Sequence, residues 1–302
     1  MPLYLVEGKK MRKSKIEKNT LIFTFLFIPV LLMLLFVVYP AFEMIRYSFT
    51  DWNGASKTYS YIGIKNYLKV IFENQEIWLS LKNNLVYLIM GIIFIPIEIL
   101  FAIVLNNERK KGLKIFKTLY FTPYIINGVA VSYIFSFFYS SVNGGLNGIL
   151  ELLGLGGLVQ KWLSDPAVVN WSLAFVYVWK NFGFFVVLFI AGLQTIPKDI
   201  LEAAEVDGAN SYQKIRYIIL ANIKGVIQTV LFMNITWCMQ IFDIPFVMTS
   251  GGPGNASSTF STYAIKTAFT YNNFGLANAM AITLMFIIVI LLVLQNRIFK
   301  VD

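Results

Sequence analysis

Two short sets of polar and aromatic side chains stand inside otherwise apolar sequence. Tyr177, Lys180, Asn181 and Phe184 follow the i, i+3, i+4, i+7 spacing of one helix face, and Asn234, Trp237, Cys238 and Ile241 repeat it. Their chemistry is recognition. Rings stack on apolar ligand faces, amides donate and accept hydrogen bonds, and Lys180 adds a charge. The same types also serve plainer ends, as span packing and interhelical hydrogen bonding. Covalent chemistry has little to work with. The chain has no His, and its one Cys, Cys238, reads as a small buried hydrophobe. That excludes Ser-His-Asp and Cys-His arrangements, Cys/His metal clusters and a disulfide framework. Neither G-x-S-x-G nor the phosphate-cradling G-x4-G-K-[ST] occurs, so any nucleotide chemistry belongs to another chain.

The elements that carry these faces are membrane spans. Of the 302 residues, 57% are hydrophobic and 14% charged, where a soluble domain carries about a quarter charged. Mean hydropathy is +0.67. A spanning helix needs about 20 mostly apolar residues. Six runs qualify: Leu21–Tyr39, Leu85–Leu105, Lys117–Phe138, Trp171–Leu193, Val226–Thr249 and Ala277–Leu294. The first is longer than a signal-peptide core and no small-x-small cleavage site follows, so it is read as retained. Pro123, Asn127 and Gly128 interrupt the third; with Pro96 and Glu98 in the second they suggest bent helices. The fold class expected is an all-α polytopic membrane protein, a single domain over residues 1–302.

Basic residues set the orientation. Lys plus Arg number six in 1–20, five in 106–118, four in 194–225 and two in 296–302, together 17. The alternate segments hold five in 41–82, one in 139–170 and one in 250–276, together 7, and Lys180 completes the 25. The positive-inside bias places both termini and residues 194–225 in the cytoplasm. The net charge of +9 is therefore a topology signal, not the footprint of a nucleic-acid partner.

Residues 194–225 read as helix, break, helix. Thr195 can cap, Pro197 suits a first turn, and Asp199 and Glu202 complement a helix N-terminus. Gly208 ends the first helix as a C′ glycine, and Asn210 or Ser211 caps the second, through Tyr212–Leu220. A solvated connecting loop is the plain alternative. Against it, Ala203 and Ala204 leave room for another surface, and Ile200, Leu201 and Val206 form an apolar patch that the bilayer does not cover.

Glu202-Ala203-Ala204, three residues, Gly208, nine residues and Ile218-x-Leu220 resemble the E-A-A-x3-G-x9-I-x-L-P signature of ABC importer permeases, with Ala221 in place of the final proline. The stretches "YPAFEMIRYSFTDWNG" (39–54), "YIGIKNY" (61–67) and "TSGGPGNAS" (249–257) resemble the carbohydrate-uptake, maltose and glycerol-phosphate-type branch, so the likeness covers nearly the whole chain. The resemblance implies a type I ABC importer permease fold in a prokaryotic cell membrane. It implies a coupling helix carrying Glu202, Ala203, Ala204, Asp207 and Gly208 that docks on the ATPase. It further implies a second homologous permease, two ATPase subunits holding ATP-Mg, an extracellular solute-binding protein and a sugar or oligosaccharide substrate. No cofactor is expected in this chain. The substrate-contacting positions of maltose-type permeases fall on the Tyr177 and Asn234 faces, and Trp237, Tyr177 and the Asn residues suit a pyranose.

Lys180 carries a charge near mid-bilayer, where insertion costs roughly 2.5–3.5 kcal/mol, so it is expected to face the cavity and pair with Glu98 or Asp243. The alternative function built on those three residues is a self-sufficient secondary transporter or channel with an ion relay. No matching pair of broken helices in two halves supports it.

Overall fold

The computed structural model describes residues 21–106 and 113–299. The basic groups at Lys9–Lys18, Arg109–Lys111 and Lys300 lie outside them. Among the described residues the regular structure is helical, apart from one isolated bridge between Thr50 and Tyr61, with turns and loops between the helices. The long helices are α1 (Leu21–Ser48), α2 (Gln75–Leu105), α3 (Leu113–Ile125), α4 (Gly128–Phe138) and, after the short α5 (Gly145–Leu152), α6 (Val169–Leu193). Then come α7 (Lys198–Val206), α8 (Lys224–Met239), α9 (Asp243–Thr249), α10 (Phe260–Phe269) and α11 (Phe274–Ile298). Among the described residues five helical runs, α8 and α9 counted as one, are long and apolar enough to cross a membrane, or six if α3 and α4 count as one span.

Several boundaries move for identifiable reasons. The second span starts at Gln75, before Leu85, because Asn74 caps it: its side chain accepts the Glu76 N–H at 3.0 Å. Pro96 lies inside this unbroken helix. The third span is not one rod. α3 runs through Pro123 to Ile125, and α4 leaves at 104° after Asn127 caps it by accepting the Val129 N–H at 2.8 Å. The break therefore follows the cap, not the proline. The fifth span is also two pieces, α8 and α9, separated at 240–242.

α2 and α6 form the axis of the bundle, with α3 packed on α6, α8 on both, and α11 against α8, α10 and the end of α1. One buried cluster centres on Tyr87, Leu173, Tyr177, Cys238 and Ile244. A second, nearer α7, holds Ile99, Phe185, Phe189, Ile223 and Val230. A third, of Ile77, Met239, Phe260 and Met280, joins α2 to α10 and α11. Large apolar side chains on α1 and on the outer faces of α2 and α11 stay exposed. In lipid that exposure is unpenalised; association rests on close van der Waals fit and interhelical hydrogen bonds, averaging about 0.6 kcal/mol each. Small residues at crossings then matter most. At Gly183 a Cβ would land on the Tyr120 carbonyl and the Phe121 Cα, so α6 and α3 touch backbone to backbone.

Candidate functional site

Two regions collect the side chains singled out by the sequence. The first is α7. Thr195 is not its cap: the hydroxyl donates back to Gly192 O at 2.8 Å, and Pro197 occupies the N-cap position. Asp199 lies in the first turn, where the helix dipole favours it. The far end is a Schellman turn. Ala209 N–H donates to Ala204 O at 2.9 Å, Gly208 N–H donates to Glu205 O at 3.1 Å, and Gly208 takes φ +77°. Asn210 starts the next helix with a capping box. Its side chain accepts the Gln213 N–H at 2.9 Å, and Gln213 accepts the Asn210 N–H at 2.8 Å.

A clamp absent from the sequence reading joins the two helices. Lys214 Nζ donates to Glu205 Oε1 at 2.8 Å and holds that carboxyl below its ordinary value. A lowered carboxyl contributes stability above its unfolded-state value and loses it as pH falls through the folded one. The clamp is therefore engaged at neutral pH and opens only in acid. Glu202, Ala203, Asp207 and Gly208 are exposed, and Val206 is 88% exposed. Ala204 is a correction: it is buried, so an approaching surface meets Ala203 instead. Leu201 likewise leaves the expected patch and packs into the cluster nearer α7, while Ile200 stays exposed. The helix ends at Asn222 despite Ala221, and fully buried Ile223 (φ −93°, ψ 11°) turns the chain into α8.

The second region is a cleft of about 340 Å³ between α6 and the α8–α9 break. Tyr177, Lys180, Asn181, Trp237 and Ile241 line it as expected, together with Asp243. Gln240, Phe242 and Ile244 also line it and were missed. Pro245, in the first turn of α9, was the available signal that a new helix starts there. Phe184, Asn234 and Cys238 stand behind the wall. Phe184 stacks on Tyr124 at 4.5 Å and leans on Trp237 at 5.4 Å. Asn234 is buried and accepts a long bond from the Tyr177 hydroxyl at 3.5 Å; Cys238 is fully buried. Asn181 donates to its own helix at Tyr177 O, 2.8 Å away.

Lys180 does not meet either of its expected partners, Glu98 or Asp243. Among the described residues it forms no ion pair; Nζ lies 5.5 Å from the Tyr124 ring centroid. Asp243 shares the cleft but is seated elsewhere, its Oδ2 against Gly128 where a side chain would begin, at the favourable N-terminal end of α4. Glu98 is buried in α2, with Oε2 unpartnered among the described residues. A relay through these three groups has no contact to run along. Because Lys180 supports no fold contact of that kind, Lys180→Met is expected to leave the amount of protein in the membrane unchanged and to lower solute uptake several-fold. Quantifying both in the same vesicles checks this, and unchanged uptake would remove Lys180 from the pathway.

Residues 98–300 match the family described as "Binding-protein-dependent transport system inner membrane component". The chain belongs to this family. It is thus a multi-pass membrane protein, a transport component in place of an enzyme. Its relatives include the probable ABC transporter permease YurN of Bacillus subtilis, 32% identical over 94% of this chain and 98% of that protein. The multiple sugar-binding transport system permease MsmF of Streptococcus mutans is 33% identical over 92% and 94%. The fold is that of a chain in the crystal structure of a bacterial ABC transporter involved in import of the acidic polysaccharide alginate, with TM-score 0.81, 22% identity and 96% and 98% coverage.

Proposed function

We propose that this chain is the permease subunit of an ATP-driven, binding-protein-dependent importer of sugars or oligosaccharides, forming half of the translocation pathway beside a second, homologous permease. Both termini and α7 face the cytoplasm, where α7, through Glu202, Ala203, Asp207 and Gly208, docks on one of two separate ATPase subunits that hold ATP-Mg. The observation that carries this reading is α7 itself. A short helix with an exposed Ala203 and Val206 is pinned at its C-terminal end by a Schellman turn and a Glu205–Lys214 clamp, the construction of a lever presented to another surface.

The cleft suits a saccharide. Trp237 offers a face for a pyranose, backed by the buried Tyr177, and Gln240, Lys180 and Asp243 offer groups for its hydroxyls. MsmF, whose name refers to multiple sugars, supports the same substrate class. Motion follows from differential affinity: ATP and a loaded extracellular binding protein favour one orientation of the spans over the other. Purification of the tagged chain from its native membrane is expected to bring along an ATPase, a second permease and a saccharide-binding protein. Recovery of the chain by itself, with normal uptake activity, would overturn the proposal.

A further inference from the structure

One amide far from any predicted face holds the cleft wall in place. α8 ends at Met239, and the break at 240–242 leaves its terminal carbonyls without intrahelical partners. Asn84, on α2 and fully buried, supplies them. Its Nδ2 donates to Cys238 O at 2.7 Å and to Met239 O at 3.1 Å. Its Oδ1 accepts the N–H of Phe260, the first residue of α10, at 2.8 Å. A single side chain therefore closes the end of one helix and the start of another. The next carbonyl but one, Ile241 O, takes the Thr259 hydroxyl at 2.8 Å. Neighbouring Asn83 donates to Ser258 O at 2.8 Å, and Asn170 of α6 donates to Asn83 Oδ1 at 3.1 Å and Ala256 O at 2.8 Å.

The segment suspended by these bonds, Gln240–Ile244, is the one that lines the cleft. Asn84 itself does not line it. We infer that Asn84 is a positioning residue for the cleft: it fixes the wall at 240–244 from behind and governs solute binding through the backbone it holds, without touching solute. The consequence for solute rests on the cleft being the transport pathway; the positioning does not. Loss of Nδ2 strands two buried carbonyls in a setting where water cannot replace it, and the break becomes free to shift.

The test reads wall position directly, in the assembled transporter in membranes. Gln240 is exposed, so Gln240→Cys is open to N-ethylmaleimide, whereas the native Cys238 is buried. In Asn84→Leu, which removes all three of these hydrogen bonds, the labelling rate at 240 is expected to change about tenfold or more. A Leu152→Cys control on exposed α5 should label at an unaltered rate. Asn84→Asp keeps the Phe260 acceptor and the shape while losing the paired N–H donors, and is expected to move labelling in the same direction if Asn84→Leu fails to accumulate. Unaltered labelling at 240 in Asn84→Asp would overturn the positioning role. Altered labelling with unaltered solute affinity would uphold it and overturn instead the reading of the cleft as the pathway.

Discussion

Gly208→Val is expected to reduce ATP-dependent solute uptake about tenfold or more while leaving the chain in the membrane at its normal level. Gly208 closes the Schellman turn at φ +77°. A Cβ there would meet open space, so no clash is involved and the whole effect is backbone strain. An L-residue in the left-handed region costs about 1–2 kcal/mol, and a β-branched one is a genuine outlier there. The relief available is to unwind the turn, which frees the Ala204 and Glu205 carbonyls and lets α7 swing relative to Lys214–Ile219. The spans are untouched, since among the described residues nothing beyond the chain neighbours lies within 4 Å of a Cβ at 208. Gly208→Asn is the matched control, because Asn tolerates this conformation, and should keep most of the uptake. Uptake in vesicles, set against immunoblot of the same membranes, checks the pair. Full activity in Gly208→Val would show that the turn's geometry is irrelevant to coupling.

The second large effect belongs to the bundle. In Gly183→Val, new atoms would fall on the Tyr120 carbonyl and the Phe121 Cα, which are backbone and cannot rotate away. α3 and α6 must separate, and Tyr124 with them, undoing its stacking on Phe184. Overpacking in a tight core costs about 1–3 kcal/mol even where side chains can adjust, so a backbone collision belongs at or beyond the top of that range. We expect a marked drop in the thermal unfolding midpoint of the detergent-solubilised chain and a reduced membrane level, with Gly183→Ala shifting both in the same direction to a smaller extent. An unchanged midpoint in Gly183→Val would mean that α3 does not lie against α6 as described.

Much of this was legible because lipid imposes simple rules. Runs of about 20 apolar residues had to be spans, and Gly208 followed by Asn210 had to be a helix end and a helix start. What stayed hidden depends on contacts between distant segments. Pro123, Asn127 and Gly128 all marked the third span as interrupted, but not which of them breaks it; the cap at Asn127 does. The period of a helix face cannot tell which neighbour lies opposite. It could not show that Asn234 and Cys238 face the core behind Trp237, that Ala204 turns inward while Ala203 stays out, or that Asp243 settles against Gly128 instead of Lys180. The same holds for Asn84, whose partners lie on α8 and α10.

The most direct test of the coupling reading is uptake of radiolabelled saccharide into proteoliposomes made from the purified chain, with and without its ATPase, second permease and binding protein. No accumulation is expected from the chain alone, with or without ATP, and ATP-dependent accumulation is expected from the full set. Accumulation by the chain alone would contradict it.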